Sequence, residues 1–237
     1  MNDPVLQGDH HVHSTFSDDA VSTLAENVAA ASAAGLTTIR LVDHVRRSTT
    51  WVPDYLAAVR ELQVPDGLTV LTGVEAKILD ASGEIDIPDL PEGIDRILIA
   101  DHQFPGVDGP LGPTAVRERL ANGWAADDAL DQLVSALIAA MRRHPGNQLA
   151  HCFSILPKIG LSEDDLGSER IAEWARTAAE TDTLVEVNEK WGCPGPLLLD
   201  ALGDAGAELV ASTDSHVASE VGRYARVAEL LSQRKER

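Results

Sequence analysis

Two short triplets, His11-Val12-His13 and Asp214-Ser215-His216, place chemistry-capable residues near the two ends of the sequence. Each follows an apolar stretch that reads as a β-strand, and residues i and i+2 on a strand point to the same face. Each triplet therefore aims two metal-binding side chains into one space. Imidazole and carboxylate together suit divalent ions such as Zn, Mn or Fe. Donors drawn from opposite ends of the chain point to a closed architecture and to a metallohydrolase.

The elements that must position these donors form a steady rhythm of apolar strand, loop and amphipathic helix. Strands are expected at Val5–Val12, Thr37–Val42, Thr69–Val74, Arg96–Ala100, Gln148–Ala150, Leu184–Val187 and Glu208–Ala211. Helices are expected at Thr23–Ala34, Pro53–Gln63, Ala125–Arg143, Ser168–Thr181, Gly195–Ala205 and Ala218–Leu231. Within Ala125–Arg143, Leu130, Val134, Leu137, Ile138 and Met141 recur at helical spacing and make a core-facing stripe. Strands alternating with helices predict a parallel sheet. Six of the eight histidines, together with Glu75 and Asp214, fall at or just after strand ends. A β/α barrel gathers its catalytic groups at those ends. His10 should face away from His11 and His13, and His144 ends a helix.

A chain of 237 residues can bury one barrel-sized core, and a single domain spanning 1–237 is expected. The formal charge of −19 works against nucleic acid, whose phosphates need Lys and Arg. It also works against an anionic membrane surface. The first residues lack a basic region followed by an apolar run, so no secretory signal is expected. Two cysteines, Cys152 and Cys193, make no disulfide framework and fit a cytoplasmic setting.

The ordered motifs resemble those of the polymerase and histidinol phosphatase (PHP) family of metal-dependent phosphoesterases. Asp9-His10-His11-Val12-His13-Ser14-Thr15 is similar to its opening motif, followed by Phe16-Ser17-Asp18. Val42-Asp43-His44, Gly73-Val74-Glu75, Ala100-Asp101-His102, Leu149-Ala150-His151 and Ser212-Thr213-Asp214-Ser215-His216 resemble the others, in order. The resemblance implies an α/β fold, a distorted (β/α)7 barrel, with two to three divalent metal ions (Zn, Mn or Fe). By that resemblance His11, His13, Glu75 and Asp214 would bind one metal. Glu75 would bridge to a second held by His102 and His151, and Asp18, His44 and His216 would hold a third. Asp19, beside Asp18, is an open alternative.

The expected activity is hydrolysis of a small phosphorylated metabolite, such as histidinol phosphate or a nucleotide, by a metal-activated hydroxide. Glu75, Asp214 and His216 are the expected catalytic residues. Asp9, Asp43 and Asp101 each precede a ligand or its triplet and are candidates to orient imidazoles. Arg46 and Lys190 are the expected phosphate contacts, and Asn188 a further substrate contact. Cys152 is read as a small buried residue. The Trp191–Gly195 loop and the His102–Pro113 segment are candidate pocket walls. An amide or C–N hydrolase, or a non-catalytic metal-binding module, are the competing readings, and the oligomeric state is left open.

Overall fold

The structure is a computed structural model that describes residues 3–235. Seven parallel strands form one sheet in the order β1 (Gly8–Val12), β2 (Thr38–His44), β3 (Thr69–Lys77), β4 (Arg96–Ala100), β7 (Gln148–Ala150), β8 (Leu184–Asn188) and β9 (Leu209–Ser212). The sheet nearly closes on itself: Val12 and Ser215 make a parallel bridge, and His13 N–H donates to the Ser215 carbonyl at 2.9 Å. Around it run α1 (Leu24–Ala33), α2 (Val52–Arg60), α3 (Pro113–Ala121), α4 (Ala126–Arg143), α5 (Leu156–Ile159), α6 (Ser168–Glu180), α7 (Pro196–Ala205) and α8 (Arg226–Lys235). The expected distorted (β/α)7 barrel is the observed architecture.

Strand alternation divides the core in two. Ile39, Leu41, Val74, Ala76, Ile99, Leu149, Val185 and Ala211 face outward into one large apolar layer, where they meet the α4 stripe of Leu130, Val134, Leu137, Ile138 and Met141. Inside the barrel a small cluster of Val42, Leu98, Ala100 and Ala150 fills the space. The same alternation carries His44 and Glu75 inward at matching positions on β2 and β3.

Local chemistry explains where the elements start and stop. Thr23 caps α1 through a capping box with Glu26. The expected first strand begins only at Gly8, because Pro4–Gln7 forms a turn of 3-10 helix capped by Asp3. The expected last helix is split. Ala218–Glu220 is a single 3-10 turn, Gly222 adopts a left-handed φ of 68° with its N–H on Asp9, and α8 starts at Arg226. The segment after His102 is a hairpin of β5 (Phe104–Gly106) and β6 (Gly109–Leu111). Phe104 is buried against Trp124, and Gln132 of α4 donates to the Pro105 carbonyl, so the hairpin is anchored in the core. Among the described residues no helix is long and apolar enough to cross a membrane.

Candidate metal centre

Glu75 reaches inward from β3 and meets five imidazoles at the C-terminal mouth of the barrel. Its Oε1 lies 3.0 Å from His102 Nε2 and 3.1 Å from His151 Nε2. Its Oε2 lies 2.7 Å from His44 Nδ1, 3.5 Å from His11 Nε2 and 3.6 Å from His13 Nε2. Asp214 closes the other side, with Oδ1 at 3.4 Å from His13 Nε2, 3.6 Å from His216 Nδ1 and 4.0 Å from His11 Nε2. The structure thus brings together eight of the nine expected ligands.

The ninth, Asp18, is a correction. Asp18 lines the cavity mouth, whereas it is Asp19 whose Oδ2 stands 3.5 Å from His44 Nε2 and 3.3 Å from His216 Nε2. The turn after Ser17 presents the second of the two acids to the centre.

Three groups of donor atoms each lie within 4.8 Å of one another: His11, His13 and Asp214; His44, Glu75 and His102; and His13, His44 and His216. Two features show that these residues fit metal ions. The Nε2 atoms of His11 and His13 lie 2.9 Å apart and both approach Asp214 Oδ1, at 4.0 and 3.4 Å, so the three donors converge on one point. Glu75 Oε2 is buried with no hydrogen bond of proper geometry, even with His44 Nδ1 beside it. Imidazoles and carboxylates that converge on shared points are what a metal site requires.

Electrostatics agree. Burial alone would raise the Glu75 carboxyl, but His102 and His11 reverse this and hold it well below the usual carboxylate range. Asp214 is likewise lowered: burial opposes ionisation, and the His13 hydrogen bond with the nearby imidazoles outweighs it. Burial pushes His13 down to about 3, which leaves its imidazole neutral. His151 goes the other way, up to about 10, because the Asp101 and Glu75 carboxylates outweigh its burial. Divalent ions bound here would replace such imidazolium charge and release its protons.

Backbone strain concentrates at the same place. Non-glycine residues with left-handed φ include His151 at 31° and Asp214 at 52°. Such conformations cost on the order of 1–3 kcal/mol each and persist where surrounding structure enforces them. At Asp214 the enforcement is visible: Trp191 Nε1 donates to Oδ2 at 2.8 Å and Lys190 Nζ lies 3.2 Å from the same oxygen. Oδ1 is left to face the imidazoles.

The residues in front of the ligands divide by role. Asp43 accepts four hydrogen bonds from the backbone and hydroxyls of Ser14 and Ser17 and fastens the loop after β1. Asp9 does the same for the end of β9 through Thr213 and also takes Gly222 N–H. Neither contacts an imidazole. Asp101 does, with Oδ1 at 3.7 Å from His151 Nδ1 and 3.0 Å from Ser154 Oγ.

The residues expected to face substrate fall in different surroundings. Arg46 lines an open cavity of about 260 Å³ together with His44, Glu75, Lys77 and His102, and its guanidinium has no partner among the described residues. Lys190 stands at the rim against Asp214. Asn188 requires correction: it is fully buried, its amide N–H groups go to Glu186 and Ser212, and its Oδ1 accepts from Trp191 N–H. Nothing of it remains for substrate. The Trp191 loop does form a wall, lining a second cavity of about 420 Å³ with Phe153, Lys158 and Glu163. Lys158 Nζ lies 3.8 Å above the Trp191 ring. Cys152 is buried in the apolar core, and burial raises its thiol well above the ordinary range. His10 faces a cavity at the opposite end of the barrel, and His144 caps α4.

Sequence reasoning missed Glu186, buried at the barrel centre with Oε1 2.9 Å from His11 Nδ1. An acid inside the apolar run Leu184-Val185-Glu186-Val187 was the available signal.

A β/α barrel with imidazoles and carboxylates converging at its C-terminal mouth defines the class as a metal-binding barrel. The PHP domain model matches residues 9–190, and the chain belongs to that family. It is 27% identical over 243 residues to a probable phosphatase of Proteus mirabilis, covering 95% of this chain and 84% of that one. A probable phosphatase of Acetivibrio thermocellus is 28% identical over 239 residues, covering 95% and 86%. The fold is similar to histidinol phosphate phosphatase from Lactococcus lactis, crystallised with zinc, L-histidinol and phosphate. The TM-score is 0.68 at 16% identity, covering 97% of this chain and 92% of that one.

Proposed function

We propose that this protein is a metal-dependent phosphatase that hydrolyses phosphomonoesters of small metabolites. The observation that carries the reading is the convergence of His11, His13, His44, His102 and His151 on the single buried carboxylate of Glu75. His11, His13, Glu75 and Asp214 would hold one ion, Glu75, His102 and His151 a second, and His44, His216 and Asp19 a third. Such ions supply positive charge to the phosphoryl oxygens and acidify an attacking water.

The remaining work falls to the chain itself. Asp214, with Oδ1 turned into the centre, is placed to take a proton from the attacking water. His216, 3.6 Å from that oxygen, is the next group outward toward solvent. Lys190 and Arg46 flank the mouth and offset the negative field of the chain where an anionic ester must enter. The 420 Å³ cavity beside Trp191 gives room for the alcohol portion. The names of the relatives support phosphate as the group attacked. Histidinol phosphate and nucleotides are the first esters to try.

The test is release of inorganic phosphate from a panel of phosphomonoesters by chelator-treated protein resupplied with Mn or Zn. Turnover that returns with metal is expected. Turnover confined to amides or other C–N bonds, or stoichiometric metal binding with no turnover, would contradict the proposal.

A further inference from the structure

Glu186 on β8 is fully buried and receives five donors on its two oxygens. Oε1 accepts from His11 Nδ1 at 2.9 Å and from Gln148 Nε2 at 2.7 Å. Oε2 accepts from Ser212 Oγ at 2.8 Å, Asn188 Nδ2 at 3.1 Å and His151 N–H at 3.2 Å. An ionised carboxylate offers about four lone-pair sites and donates nothing. Whatever faces it must therefore carry the proton.

That requirement puts a proton on His11 Nδ1. A neutral imidazole donates from one nitrogen and accepts at the other, and the partner of the first decides the second. With Glu186 at Nδ1, a neutral His11 carries its proton on Nδ1 and leaves the lone pair on Nε2. Nε2 is the atom that faces His13 at 2.9 Å and Glu75 at 3.5 Å. The same carboxylate also grips the backbone N–H of His151, whose φ of 31° turns its imidazole toward Glu75.

We propose that Glu186 is the positioning residue of the metal centre: it holds His11 in the Nδ1–H form and pins His151, so that one buried acid orients members of two donor sets. The proposal rests on the metal-binding reading of the site. Second partners of this kind change metal affinity by roughly 10–100-fold when removed.

The experiment compares zinc affinity of wild type, Glu186→Gln and Ser212→Ala by competition with a chromophoric chelator. Glu186→Gln should weaken zinc binding by about 10–100-fold. Ser212→Ala, which deletes a donor to Oε2 without touching an imidazole, should bind as wild type. Because Glu186→Gln removes a buried anchor and can fail to fold, nitrogen-15 shifts of His11 in zinc-loaded wild type provide an independent readout. They should show a protonated Nδ1 and an unprotonated Nε2. A proton on Nε2, or a folded Glu186→Gln variant with wild-type affinity, would overturn the assignment. Wild-type protein that takes up no zinc would refute the metal centre itself, and this proposal with it, a result distinct from the other two.

Discussion

Glu75 gathers imidazoles from four separate segments of chain, and this single residue explains why the surrounding acids and histidines are buried. An unpaired buried charge is costly, and here each carboxylate is matched by groups that either carry or bind positive charge. The Asp18–Asp19 pair gives a direct prediction. Asp19→Asn should lower manganese stoichiometry or affinity at the His44–His216 position, while Asp18→Asn should leave a calorimetric titration unchanged. The reverse outcome would return the role to Asp18. The donors that gather around Glu75 were legible because imidazoles and acids at strand ends are visible in sequence. The choice between two adjacent acids was not, since it depends on the turn that Asp43 fastens through Ser17. Glu186 was missed and Asn188 misjudged for a related reason: strand alternation says that both point inward, but not how deep in the barrel they lie.

At the scale of elements, Arg96–Ala100 and Gln148–Ala150 have the bounds expected from their apolar runs, and Ala126–Arg143 follows its helical stripe to within one residue. Elements without periodicity were invisible. The β5–β6 hairpin and α3 lie in a Gly- and Pro-rich stretch whose order comes from contacts with α4 and Trp124. The short 3-10 turn Glu163–Asp165 shows how such pieces are tied down: Glu163 Oε2 accepts Gly195 N–H at 2.6 Å and joins that turn to the start of α7. Burial raises the Glu163 carboxyl to about 7. A carboxyl raised on folding holds its proton more tightly in the native state. Its contribution is therefore full below the ordinary value of 4.5 and is lost as pH rises toward 7. Glu163→Gln, which keeps an acceptor for Gly195, should match wild type in melting temperature near pH 4 and exceed it at pH 8. A constant difference across that range would contradict the assignment.

For the whole molecule, a formal charge of −19 surrounds a site proposed to bind an anionic ester. Such a field slows the approach of like charge until salt screens it, the Debye length falling from about 30 Å at 0.01 M to about 8 Å at 0.15 M. kcat/KM for a phosphomonoester should therefore rise over that range at fixed metal, and a flat or falling profile would show that the rim cations already reverse the field. The barrel closes through Val12 and Ser215, which is how two triplets from opposite ends of the chain come to face one space. The most direct measurement is anomalous diffraction at the manganese or zinc edge from crystals grown with that metal. Two or three peaks among Glu75, Asp214 and the six surrounding imidazoles are predicted. Metal-replete crystals with no peak within coordination distance of Glu75 would contradict the account.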